Sequence, residues 1–288
     1  MDSQMSSGAP KHRPVALITG TSSGFGLLTA VRLASIGYQV AATMRNTARA
    51  GELMTLAREK GVADRIHLLP LDVTDSETIQ QAVAEVLGRF GQIDVLINNA
   101  GFALGGYVEE LTLTDWREQM ETNFFGLVAM TREVLPHMRR RGSGSIINVS
   151  SVSGLMGFPG YGPYAASKFA VEGYSESLRH EMAPYGVKVV LVQPGAFRTA
   201  IWNKGLGRIR MAQDSPYRDR LNAVLSYSRQ AAKTAPDPQQ VADLIARIVS
   251  KRSPRLRYAV GQGAGLMRWA KAILPWKWLE LIIARALR

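Results

Sequence analysis

The chain has 288 residues, 46% hydrophobic and 8% aromatic, enough for one large α/β domain with a substantial core. It has no cysteine, which excludes disulfides, thiol nucleophiles and thiolate metal sites without settling the compartment. Thirty-five Lys and Arg against 23 Asp and Glu give a formal charge of +12; the basic residues are mostly dispersed, which reads as a generally basic surface and not as a nucleic-acid site.

The opening residues, MDSQMSSGAPKHRP, are polar and small and hold no apolar run of signal-peptide length. The expectation is a disordered lead over 1–13 on a cytoplasmic protein. No later run approaches the roughly 18 uncharged apolar residues that a membrane span requires.

From residue 14 onward, short apolar β-branched runs alternate with segments of helical period. Strands are predicted at 15–19, 38–43, 66–71, 95–98, 145–150 and 187–193, with a late edge strand at 256–260. Most are nearly continuous in apolar residues, as strands covered on both faces should be. Helices are predicted at 25–36, 47–60, 76–90, 114–139, 163–183 and 215–250. This alternation predicts a single-domain α/β protein, a Rossmann-type doubly wound parallel sheet with helices on both faces, over residues 14–262.

In such a sheet a ligand binds beyond the carboxyl ends of the strands, where the strand order switches. The turn after the first strand reads TGTSSGFG, with Gly20, Gly24 and Gly26 as G-x-x-x-G-x-G. Glycine permits the sharp turn and a close backbone approach, and the following helix offers free N–H groups to a pyrophosphate. At the end of the second strand, Met44 stands where an NAD site commonly carries a carboxylate, and Arg45 follows it. That favours NADP(H), with NAD(H) as the alternative. Further along come LDV (71–73) and NNAG (98–101), whose short polar side chains suit either an adenine rim or the pinning of strand ends. Asn123 in METNFFG, NVSSVSG (148–154) and YAASK (164–168) follow. Tyr164 and Lys168 lie one helical turn apart. Taken alone, that pair equally suits a solvated helix face.

The ordered set TGTSSGFG, LDV, NNAG, ETNFFG, NVSSVSG, YAASK and QPG (193–195) resembles the short-chain dehydrogenase/reductase family over roughly residues 13–260. The stretches VAATMRN and SGLMGFPGYGPYAASKFAVEG resemble its steroid and retinol dehydrogenase branch. The resemblance implies Tyr164 as acid/base, Lys168 as its partner and as a hold on the nicotinamide ribose, and Ser151 as the carbonyl-positioning hydroxyl. Ser151 is chosen over Ser150 and Ser153 by its thirteen-residue offset from Tyr164. Asn123 would be the fourth member, keeping a helix locally open. Cofactor contacts are implied at Gly20, Ser22, Ser23, Gly24, Phe25, Gly26, Arg45, Asp72, Val73, Asn99, Ala100, Gly101, Tyr164, Lys168, Pro194, Gly195 and Thr199. A lysine beside the phenol, together with the nicotinamide's own positive charge, is expected to lower its pKa from near 10 toward the working range. No metal is required, and the four histidines show no ligand spacing.

Phe102, Leu104, Leu155, Met156, Phe158, Phe197 and Trp202 are the candidate substrate pocket, with no Arg or Lys cluster among them. A hydrophobic ketone, aldehyde or secondary alcohol is the expected substrate, and a homodimer or homotetramer the expected assembly. The rival readings are a 3-oxoacyl-carrier-protein-type ketoreductase and a non-catalytic dinucleotide-sensing protein. The extension over 263–288 is basic and amphipathic, with Pro275 expected to split it into two short helices. A lid or subunit contact is the preferred role for it, and peripheral contact with a membrane the alternative.

Overall fold

A computed structural model of the chain describes residues 13–198 and 208–286. Seven strands, β1 (Val15–Thr19), β2 (Gln39–Met44), β3 (Ile66–Pro70), β4 (Val95–Asn98), β5 (Gly144–Val149), β6 (Val187–Pro194) and β7 (Arg257–Val260), form one sheet in the order 3-2-1-4-5-6-7. Every pairing is parallel. The strands follow the apolar runs because each is covered on both sides. In β1, Ala16 and Ile18 pack into one buried cluster while Val15 and Leu17 pack into the other.

Helices α1 (Gly24–Ser35), α2 (Gly51–Glu59) and α8 (Gln239–Val249) supply one face through Leu27, Leu33, Leu53, Val241 and Ile245. On the opposite face α3 (Ser76–Phe90), α5 (Gly126–Arg141) and α6 (Gly162–Met182) bring Ile79, Val83, Met130, Val134 and Leu178. Local chemistry sets the helix ends. Asp75 caps α3 by accepting from the backbone N–H groups of Glu77 at 2.9 Å and Thr78 at 3.4 Å.

Two expected helices are interrupted. The one predicted at 114–139 is α4 (Leu113–Met120), a π-helical turn (Glu121–Phe125) and then α5. The one predicted at 215–250 is α7 (Arg218–Thr234) and α8, parted where Pro236 and Pro238 cannot continue a helix. Pro275 divides the C-terminal extension as expected, into α9 (Ala264–Ile273) and α10 (Trp276–Ala286). Among the described residues, no helix is long and apolar enough to cross a membrane.

Candidate active site

Strand order reverses between β1 and β4, whose neighbours run to opposite edges of the sheet. The carboxyl ends of these two strands are tied together. Thr19 Oγ1 accepts from the backbone N–H groups of Asn99 and Ala100, both at 3.0 Å, and Asn99 Nδ2 donates to the carbonyls of Thr19 (2.9 Å) and Gly20 (3.0 Å). Gly20 has φ +72°, and a Cβ there would stand 2.8 Å from Ala100 Cα. At Gly20 the turn therefore has no room for a side chain, which leaves that backbone facing the cleft.

That cleft has a volume of about 650 Å³. Its wall includes Gly20, Ser22, Ser23, Gly24, Phe25, Arg45, Asp72, Val73, Asn99, Ala100, Gly101, Tyr164, Lys168, Pro194 and Gly195. Gly26 stands apart from this set: it lies behind the turn, where its missing side chain lets α1 approach the Gly20 carbonyl. Thr199 and Trp202 lie outside the described residues. Asn46 and Arg49 also line the cleft beside Arg45, and sequence reasoning passed over both. Glycine backbone at the start of a twelve-residue helix suits a pyrophosphate, and the cleft continues from there to the end of β2. The residues present fit a dinucleotide.

At the other end, β5 delivers Val149, Ser150 and Ser151. The Ser151 hydroxyl accepts from Ser153 N–H at 3.1 Å, capping a short 3₁₀ turn (Val152–Gly154), and hydrogen-bonds the Tyr164 side chain. Ser150 faces the cleft, its buried hydroxyl without a partner among the described residues. Lys168 Nζ donates to the Val149 carbonyl at 2.8 Å and sits 5.8 Å from the Tyr164 ring centroid. Asn123, in the π-helical turn, holds both backbone groups of Phe102: its Oδ1 accepts from N–H at 3.0 Å, and its Nδ2 donates to C=O at 2.9 Å. The same Nδ2 donates to Ser167 Oγ at 3.2 Å, linking the turn to α6.

The expected lowering of the phenol's pKa belongs to the site with nicotinamide bound; in the chain alone the direction is upward. Tyr164 is half-buried, and its packed surroundings push it above the ordinary phenol value; the Ser151 hydrogen bond opposes the rise and the Tyr161 phenol adds to it. Lys168 lies near the ring and donates one of its three N–H groups to Val149, while burial takes its own pKa down to about 8 against the pull of Glu172.

The model of the short chain dehydrogenase family matches residues 14–206. The chain belongs to the short-chain dehydrogenase/reductase family. It is an oxidoreductase of that family, 42% identical over 96% of its length to an uncharacterized oxidoreductase, YusZ, of Bacillus subtilis, of which it covers 99%. A 3-ketodihydrosphingosine reductase of Bacteroides thetaiotaomicron is 40% identical (86% of this chain, 87% of that protein). Steroid and retinol relatives are present too. Retinol dehydrogenase 8 of Bos taurus is 39% identical (84% and 79%), and 17-beta-hydroxysteroid dehydrogenase type 1 of Mus musculus 38% (85% and 72%). A Streptomyces avermitilis short-chain dehydrogenase structure superposes with a TM-score of 0.79 at 36% identity, covering 96% of this chain and 95% of that one. Similar structures hold either dinucleotide. One from Burkholderia phymatum is in complex with NAD (TM-score 0.79, 26% identity, 93% and 95% covered), and a serine dehydrogenase is complexed with NADP+ (0.73, 28%, 86% and 94%).

Within this family frame, the substrate wall differs from the one expected. Phe102 and Phe197 line the cleft. Leu104 and Met156 are buried in the core instead; Leu104 is fully enclosed, its N–H held by Gln119 Oε1 at 2.8 Å. Leu155 and Phe158 are half-buried off the cleft wall. One arginine from outside the candidate pocket residues also reaches the wall. Arg208 stacks 4.2 Å from the Phe102 ring centroid and pairs with Glu118 at 2.9 Å, so its charge is compensated.

Glu172 was also missed. It is buried one turn beyond Lys168, its Oε1 accepting from Gln193 Nε2 at 3.0 Å and its Oε2 from Arg257 Nε at 2.8 Å. The i, i+4 spacing in KFAVE was its available signal.

Proposed function

We propose that the protein is an NADP(H)-dependent reductase or dehydrogenase of a hydrophobic ketone, aldehyde or secondary alcohol. The observation that carries this reading is one cleft with Arg45 and Arg49 at one end and Tyr164, Lys168 and the Ser151 hydrogen bond at the other. When bound, the nicotinamide dinucleotide supplies or accepts the hydride. Tyr164 gives its proton to the substrate oxygen in reduction, and its raised pKa keeps it in the acid form at neutral pH. Ser151 hydrogen-bonds the oxygen on which charge develops, and the Lys168 ammonium stabilises the phenolate left behind. Asn123 positions Phe102 and, through Ser167, the Tyr164 turn, because Ser167 Oγ donates to the Tyr164 carbonyl at 2.7 Å.

Phe102, Phe197 and the compensated Arg208 favour an apolar substrate over an anionic one. The retinol, steroid and ketodihydrosphingosine named for the relatives are mainly hydrocarbon, with an alcohol or ketone as the reacting group. Following NADPH absorbance against retinal, steroid ketones, long-chain ketones and acyl thioesters tests the class. Turnover confined to acyl thioesters would overturn it.

The end of β2 supports the reading of NADP(H) as cofactor. Arg45 is exposed, and neither it nor Arg49 makes an ion pair among the described residues, so both guanidiniums are available to a 2′-phosphate. Wild type should bind NADPH more tightly than NADH. Arg45→Asp should weaken NADPH by roughly tenfold or more, the size of one charge-assisted hydrogen bond, and Arg45→Asp with Arg49→Ala should weaken it further. Fluorescence titration of both cofactors measures this, and equal wild-type affinities would sink the claim.

A pH prediction comes from Glu172. Lys168 is charged below about 8, and activity that needs the ammonium is lost as pH rises through that value. Glu172 supports the charge against burial. Glu172→Gln should therefore shift the alkaline limb of the kcat profile to lower pH, while Glu172→Asp restores much of it. An unmoved limb would show that the carboxylate does not act through Lys168.

A further inference from the structure

The C-terminal helices bury little of their apolar surface. In α9, Leu266, Trp269 and Ile273 recur at i, i+3 and i+7, and each is more than half exposed. In α10, Trp276, Trp278, Leu281 and Ile282 are likewise more than half exposed. The pair is nonetheless seated on the protein. Ala264 and Leu279 are buried, and Lys271 donates to the Leu155 carbonyl and lies 4.7 Å from the Phe169 ring centroid. A lid closed over the cleft would have buried the large side chains that these helices leave outside.

The charges on the same helices narrow the choice of what covers them. Exposed Arg268, Lys277 and Arg285 stand against Glu280, the sole carboxylate in either helix, while Lys271 is already held by the Leu155 carbonyl. A second copy meeting this face about a twofold axis would set the same cations against one another with too few acids to pair them. An anionic bilayer answers both features. Indoles settle at the headgroup level, leucine and isoleucine enter the acyl boundary, and cations on flexible stems reach lipid phosphates. Helices of ten and eleven residues, roughly 15 Å long, are too short to span a bilayer and suit lying in its interface.

We propose that α9 and α10 dock this protein on the surface of anionic lipid bilayers. The Lys271–Leu155 contact sets this surface beside the turn that Ser151 caps. A bilayer-dissolved substrate would then enter close to the reacting end of the cleft. That consequence rests on the hydrophobic-substrate reading above, whereas the docking itself does not.

The test uses the full-length protein and vesicles of phosphatidylcholine, with and without phosphatidylglycerol, so that no substrate is involved. Wild type should co-sediment with the anionic vesicles at low salt, less so at high salt, and its tryptophan emission should shift to the blue. Trp269→Ser with Trp278→Ser should bind roughly tenfold more weakly or worse, with NADPH affinity unchanged. Arg268→Glu with Lys277→Glu leaves the apolar face intact and should remove the preference for anionic lipid; it also serves if the tryptophan variant melts early. Wild type that stays in the supernatant at low salt overturns the proposal, as does binding indifferent to both variants. A change of particle size in light scattering on removing the tryptophans would give this face to a second copy, and that too overturns it.

Discussion

Tyr164→Phe should lower turnover by about a hundredfold or more, the usual loss when a general acid is removed, while leaving dinucleotide affinity within a few-fold. The substitution deletes one oxygen and keeps the ring. Lys168, 5.8 Å from the ring centroid and held by the Val149 carbonyl at 2.8 Å, retains its anchor. Ser167 donates to the Tyr164 backbone carbonyl, which every residue supplies, so the start of α6 stays in place. What disappears is the proton and its hydrogen bond with Ser151. A stability loss of about 1 kcal/mol is expected for such a bond, too small to account for the loss of rate. Single-turnover reduction at saturating NADPH, alongside a melting curve, separates the two. Near wild-type turnover in a folded variant would remove Tyr164 from the proton-donor role.

The direction of the Tyr164 shift has a further consequence. A phenol raised by burial stays protonated at neutral pH, so it carries a proton to give but is a weaker acid than a free phenol. In the isolated chain the phenol therefore rests protonated, the form that gives a proton in reduction; in the reverse reaction it must first lose that proton. Lys168, whose ammonium would stabilise the phenolate, lies near the ring. Its hydrogen bond goes to Val149, and its charge depends in turn on Glu172.

Much of this architecture could be read from residue patterns, for physical reasons that differ from element to element. The run VALIT forms β1 at the expected limits because a strand covered on both faces must be apolar throughout. Helix α3 likewise begins and ends as predicted, with Asp75 capping its start and Gly91 adopting a left-handed conformation after its end. The π-helical turn at Glu121–Phe125 leaves no such mark in the residue pattern, since ETNFF contains neither proline nor glycine and keeps an ordinary helical period. Only the family resemblance, through Asn123, points to a local opening there. Pro236 and Pro238 did mark the break between α7 and α8, although the apolar period ran across them. Depth was less legible than identity. Leu104 and Phe102 are two residues apart and Gln119 holds the backbone of both, yet the first is buried while the second faces the cleft. Arg208 was hidden because a residue just past the motif-bearing stretch returns by pairing with Glu118, a contact made 90 residues apart. For α9 and α10 the apolar spacing showed a stripe and could not show that it would lie outside.

Gly26→Ala should damage both fold and cofactor binding, more than any other one-methyl change in the glycine turn. Its added Cβ would fall 2.4 Å from the Gly20 carbonyl oxygen and 2.5 Å from Asn99 Nδ2. Neither neighbour can retreat cheaply. The Gly20 carbonyl belongs to a turn already pressed against Ala100, and the Asn99 amide is held by the Thr19 and Gly20 carbonyls at 2.9 and 3.0 Å. Relief requires α1 to slide away from β1, which withdraws the helix N-terminus from the phosphate end of the cleft. Overpacking of this kind costs about 1–3 kcal/mol, and a broken Asn99 bond adds about 1 kcal/mol. The expected result is a clearly lowered Tm and a dinucleotide Kd raised roughly tenfold or more, each 1.4 kcal/mol being one decade. Gly88→Ala is the matched control. That glycine is exposed in α3, with nothing within 4 Å of where its Cβ would be, and alanine is the better helix former there. The control should match or exceed wild-type stability and leave Kd unchanged. If Gly26→Ala melted and bound like the control, the close approach of α1 to Gly20 would not be what shapes the phosphate end of the cleft.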